Sequence, residues 1–259
     1  MNFTLIAMLF AGGLFLSMLL CLEIGRICGT RQVAKHGEKA RLGLGAVEGA
    51  VFALLGLLIA FTFSGAVLRF DSRRQMVVDE ANAVGTAYLR LDLLPADKQP
   101  ALRGSFRRYL DSRLTAYRKL PDIAAAMTEL ARSKQLQSEI WTRSVAACQQ
   151  SSSPSAAMLL LPALNQMFDI TTTRTMATQL HPPAIVFVML AVVTLAGSLL
   201  AGYGMAGASI HSWVHTLAFA AILSTTTYVI LDIEYPRLGL VRVDAFDKAL
   251  SDLRQSIPE

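Results

Sequence analysis

The sequence predicts an all-α integral membrane protein, four transmembrane helices carrying a helical extramembrane domain. Three observations point there. Of 259 residues, 53% are hydrophobic and mean hydropathy is +0.45, more apolar sequence than a water-soluble domain of this size needs. Four stretches reach bilayer length. The charged remainder recurs at helical spacings of three and four, and no alternating strand pattern of useful length occurs.

The first span is expected over residues 1–22, where Thr4 and Ser17 are the polar side chains of the run that starts at Phe3. About 20 residues rising 1.5 Å each give roughly 30 Å, the thickness of a hydrocarbon core. No basic stretch precedes this run and no small-x-small site separates it from Glu23 and Arg26, so it reads as a permanent anchor. A basic loop follows over 23–46, carrying Arg26, Arg31, Lys35, Lys39 and Arg41. The second span is expected at 47–68, the third at 184–201 and the fourth at 213–231, with a tight small-residue hairpin, "GYGMAGAS", within 202–212. An even number of spans puts both termini and the large charged block on one side. Near the membrane that side holds seven basic residues (Arg69, Arg73, Arg74, Arg174, Arg237, Arg242, Lys248) against five in the first loop. On that count the large block is assigned to the cytoplasmic face of the plasma (inner) membrane.

The extramembrane domain, 69–183, starts as a continuation of span two. Val77, Ala81, Val84, Tyr88 and Leu91 form its apolar stripe, and "LLPADKQP" ends it at Pro95 and Pro100. An amphipathic helix follows, with Leu102, Phe106, Tyr109, Leu110, Leu114 and Tyr117 on one face and mainly arginines on the other. Pro121 and Asp122 restart a helix through Ile140 and Trp141. Pro154 suits the first turn of another, which runs to His181. In the tail, 232–259, the chain turns at Pro236 and Gly239. Asp244 is placed to cap a short helix with Phe246, Leu250 and Leu253 inward.

The net charge of +5, from 24 basic and 19 acidic residues, suits a basic rim at a membrane rather than a nucleic-acid surface. Cys21, Cys28 and Cys148 have no metal-ligand spacing, and a disulfide framework is not expected.

Three segments carry a resemblance: "AVEGAVFALLGLLIAFTFSGAVLRFDSRRQMVVDEANAVGTAYLRLDLLP", "LLPALNQMFDITTTR" and "LDIEYPRLGLVRVDAFDKAL". They resemble the bestrophin-like domain family of bacterial membrane proteins, over most of the chain from about Ala46 onward. Through the distant similarity of that family to bestrophin channels, the resemblance implies four spans, a homo-oligomer (a pentamer), and an axial pore lined by the second span of each subunit. It also implies an apolar neck on that span, followed by a cytosolic continuation of the same helix. Two departures stand out. The paired tryptophans that follow the second span in bestrophins are replaced by "RFDSRRQ", and the calcium-binding acidic cluster is reduced to Asp232 and Glu234, so calcium gating does not carry over.

One face of span two reads Glu48, Phe52, Leu55, Ile59, Thr62 or Phe63, Ala66 and then Arg73. Rings of Leu55, Ile59 and Phe63 would gate a narrow pore by dewetting, with Thr62 and Ala66 on the same neck and Glu48 at its mouth. The adjacent Gly49, Ala53, Gly56 and Ala60 would let neighbouring helices approach closely. Such a stripe equally packs a membrane bundle. Below it, Arg69, Arg73, Asp79, Asn82, Thr86 and Arg90 are expected at a wet vestibule or a subunit contact, with Asp79 and Glu80 in an intersubunit salt-bridge layer. The absence of a deeper acidic ring, with basic residues past the neck, favours monovalent anions slightly.

Other chemistry finds little purchase. His211 and His215 are four apart without a third ligand nearby, and the hydroxyls of "STTTY" from Ser224 are expected to bond back to the preceding turn. No nucleophile and base stand together, so neither an enzyme nor a metal or cofactor is expected. The sequence reading is therefore an ion channel whose partners are copies of itself, membrane lipids and permeant ions. The alternative is a non-conducting membrane scaffold whose helical domain docks a partner.

Overall fold

The computed structural model describes residues 3–37, 44–151, 154–206, 213–243 and 247–257. Among these residues the chain is all-helical, and it divides into two compact units: Met1–Arg69 with His181–Tyr235, and Phe70–Leu180 with Pro236–Glu259. Helix α2, Leu44–Leu89, belongs to both.

The first unit contains α1 (Phe3–His36), the first half of α2, α6 (Ala184–Gly204) and α7 (Trp213–Glu234). These four helices are long and apolar enough to cross a membrane. Helix α1 packs against α6 and α7, and glycines set the closeness of the α1–α6 contact. A side chain on Gly25 would overlap the Leu199 carbonyl, and one on Gly202 the Leu22 carbonyl. Leu14, Met18 and Ala220 centre the α1–α7 contact. Leu5, Leu9, Leu16 and Leu20 stay exposed. The expected hydroxyl back-bonds are present. Ser224, Thr226 and Thr227 donate to the carbonyls four residues earlier at 2.7, 2.8 and 2.9 Å.

Helix α1 does not stop at the expected loop: residues 23–36 continue it. Glu23 and Arg26 pair one turn apart at 2.5 Å, and Gly25 and Gly29 hold this stretch against α6. The helix ends at Gly37, whose φ of 68° is the left-handed conformation that closes a helix, its amide donating to the Val33 carbonyl at 2.8 Å. Lys39, Arg41, His211, Asp244, Phe246 and the end of the "GYGMAGAS" hairpin lie outside the described residues.

The second unit holds the rest of α2, a 3-10 turn at Arg90–Leu93, α3 (Gln99–Arg118), α4 (Ile123–Gln149), α5 (Pro154–Ala177) and α8 (Lys248–Ser256). Pro100 sits in the first turn of α3, and Asp122 caps α4 by accepting from the Ala125 amide at 3.0 Å. The amphipathic face of α3 faces inward as its spacing predicts: Leu102, Phe106, Tyr109 and Leu110 are at most 1% exposed. They meet Val84 of α2, Leu91 of the 3-10 turn, Ile140 of α4, Leu160 and Leu164 of α5, and Leu250 of α8 in one core.

Candidate functional site

The apolar half of α2 is the least covered of the four long helices. Within its most apolar 18 residues 11% are buried in the protomer, against 22–28% for the others. Its packed side is narrow. Leu55 lies against Gly197 of α6, and Phe52 meets Phe219 of α7 edge-on with ring centroids 6.0 Å apart. The other side is open. Leu57, Phe61 and Leu68 are 51%, 67% and 67% exposed, and with the exposed Ala53 and Ser64 they make a line at spacings of three and four.

Burial within the protomer differs along the pore line read from the sequence. Leu55 and Ala66 are buried by their own chain, at 3% and 0% exposure. Ile59 is half-buried, and so is Thr62, whose hydroxyl donates to the Leu58 carbonyl at 2.7 Å. Phe63 is exposed, at the edge of the open face. Glu48 turns inward: a methyl group on Gly204 of α6 would come within 2.8 Å of its carboxylate.

The cations beyond the apolar half are also engaged within the protomer. Arg69 grips Glu234 through Nε at 3.0 Å and Nη2 at 2.8 Å. His181 stands 3.1 Å from the same fully buried carboxylate and stacks on Tyr235. Arg73 is buried and donates to the carbonyls of Ala177 and Leu180 at 3.1 and 2.9 Å, satisfying the open end of α5. Arg90 donates to the Leu159 carbonyl at 2.5 Å. All three arginines are bonded within the protomer.

Asp79, Asn82 and Thr86 are brought together. They line a groove of about 690 Å³ with Asn165, Gln166, Asp169 and Thr173 of α5. Asn82 and Thr86 are exposed, and Asp79 accepts from Gln75 at 3.0 Å. Ala83, Pro162 and Ile170 complete its lining, and its two charged groups are the carboxylates of Asp79 and Asp169.

Glu80 has a different fate. It is fully buried and lies between Arg113 of α3, at 2.6 Å, and Arg174 of α5, at 2.5 Å. Arg174 also reaches Asp247 at 3.0 Å, as does Arg237 at 2.8 Å. The Tyr117 ring lies within reach of three guanidiniums, closest to Arg174 at 3.8 Å. The expected intersubunit layer is thus, at Glu80, an internal tie joining α2, α3 and α5. Burial alone would raise the Glu80 carboxyl, but the two guanidiniums outweigh it and hold it below the usual carboxylate range. Burial pushes the neighbouring Tyr109 hydroxyl, bonded to Thr171 at 2.8 Å, up to about 12.

A signal for this cluster existed in the sequence. Arg113 falls four residues after Tyr109 and seven after Phe106, a cation on the apolar stripe of α3. A charge there needs a buried partner. Leu57 and Phe61 carried no such mark, since every residue near them is apolar or small.

The class defined by this architecture is an all-α protein with four helices fit to cross a membrane, one of them running on into a polar helical unit. The chain belongs to the bestrophin-like family: the model of the Bestrophin-like domain matches residues 38–245. Its fold is similar to that of a bacterial bestrophin homologue from Klebsiella pneumoniae, solved as a point mutant. The two share a TM-score of 0.59 and 14% identity, over 92% of this chain and 99% of that one. No curated protein matches the chain.

Proposed function

We propose that this chain is the subunit of a homopentameric ion channel of the inner membrane, its second span lining an axial pore and its helical domain in the cytoplasm. The observation that carries the reading is the open apolar face of α2. A helix whose apolar half packs on its own bundle along a narrow strip has the rest of that half's surface available to an axis and to neighbouring copies. Family membership and the shared fold support the same arrangement.

The neck assigned on exposure is Leu57 and Phe61, with Leu68 below and Phe63 flanking. Bulky apolar rings of this kind gate by dewetting. Further along, Asn82 and Thr86 supply a polar wall. A slight preference for monovalent anions rests on the absence of carboxylates from the open apolar face and on the net charge of +5. Arg69 and Arg73, engaged inside the protomer, add nothing to it.

Purified protein in planar bilayers tests the reading. It conducts, and Phe61→Ala raises conductance severalfold, whereas Leu55→Ala weakens folding by about 2–5 kcal/mol and leaves conductance unchanged. Silent bilayers from a protein whose mass is that of a pentamer overturn conduction and leave the scaffold. A monomer or dimer overturns the axial pore.

A further inference from the structure

Helices α2 and α5 each turn a polar face to one groove of the second unit. Asp79, Asn82 and Thr86 recur at spacings of three and four on α2, and Asn165, Asp169 and Thr173 at four on α5. Such spacings keep side chains on one side of a helix. The amides and hydroxyls of the lining are neutral, so the fixed charge of this wall rests on Asp79 and Asp169.

Neither carboxylate is balanced by a cation among the described residues. Asp79, half-buried, accepts from the Gln75 amide at 3.0 Å, a bond that leaves its charge in place. The exposed Asp169 side chain has no ion pair or hydrogen bond among those residues, and the Thr173 hydroxyl donates to its backbone carbonyl at 2.9 Å. Glu80, next to Asp79 in the chain, shows the contrast. Its carboxylate is held in the core by two guanidiniums, whereas the two in the groove are left to water and mobile ions.

A lone surface carboxylate acts weakly through water and salt. Repetition around an axis changes that. In a ring of five copies the two become ten about one passage, and walls lined by one sign of charge raise the local concentration of counter-ions. We propose that Asp79 and Asp169 draw monovalent cations into the passage beyond the neck and so keep its preference for anions slight. The inference rests on the channel reading, which turns this polar wall to the axis.

The test is the reversal potential of the full-length protein in planar bilayers under a potassium chloride gradient, which gives the chloride-to-potassium permeability ratio. In Asp79→Asn/Asp169→Asn the ratio rises about threefold. Asn82→Asp adds a carboxylate to the same exposed wall and lowers the ratio, so it carries the test if the double variant fails to assemble. Asp252→Asn, at an exposed position of α8 outside the groove, leaves the ratio unchanged. The changes shrink between about 0.1 M and about 1 M salt, as the screening length falls from about 10 Å to about 3 Å; an altered pore shape would not respond in this way. The inference alone is overturned if the conducting double variant keeps the parent ratio, if Asn82→Asp does not lower it, or if the changes are equal at both salt concentrations. Silent bilayers from the pentameric parent overturn the channel reading and this inference with it.

Discussion

Replacing Glu80 by Gln tests whether the second unit is tied together by a buried charge cluster. Glu80 accepts from Arg113 at 2.6 and 3.1 Å and from Arg174 at 2.5 Å, and all three side chains are at most 4% exposed. In the variant Arg174 keeps Asp247, but Arg113 keeps only the neutral Tyr117 hydroxyl at 2.5 Å. One guanidinium is then buried without an anion, a loss of about 3–5 kcal/mol, towards the lower end because the amide oxygen still accepts one bond. For a unit of this size that is a fall of roughly 10 °C in thermal midpoint. Trp141, packed edge-on against Phe168 in the same unit, reports the transition by fluorescence once Trp213 is replaced by Phe. The pH dependence has a definite sign. The folded carboxyl lies below its ordinary value, so its contribution is complete above the unfolded carboxylate pKa and is lost as pH falls through the folded one. The gap between parent and variant therefore closes in acid. A midpoint within about 2 °C of the parent at neutral pH, or a gap that widens in acid, refutes the tie.

Two further perturbations probe the packing of each unit. Phe106→Ala empties a site with no exposed surface, edge-on to Tyr88 at 5.9 Å, and costs about 3–5 kcal/mol in the Trp141 transition. Gly202→Val drives a branched side chain into the Leu22 carbonyl, so α1 and α6 must separate; the Trp213 transition falls while that of Trp141 holds. Equal falls in both transitions would mean that the two units do not unfold separately.

The helices were legible because their signals are local. Prolines at 95, 121 and 183 interrupt the pattern, Asp122 caps, and the stripe from Leu102 to Leu114 has the right period. The end of α1 was not legible: polar residues after Leu22 suggested a loop, but Glu, Arg and Thr are compatible with helix, and the stop waits for Gly37. The partners of Arg69, Arg73 and Arg174 were hidden for another reason. Each lies about a hundred residues or more away in sequence, at Glu234, at Ala177 with Leu180, and at Glu80. Nothing in a single sequence distinguishes an arginine that caps a distant helix from one that faces water.

Which face of span two packs within the protomer was not legible either. A run with few polar residues offers no mark of which apolar face is covered, and Leu55 is buried while Leu57 and Phe61 are exposed. On the channel reading the consequence reaches selectivity. With Arg69 and Arg73 bonded inside the protomer, the neck is left with apolar side chains and no fixed charge of its own. Preference among ions must then arise from dehydration at Leu57 and Phe61 and from the polar wall beyond. Substituting Arg69 should therefore disturb folding around Glu234 well before it alters which ion passes.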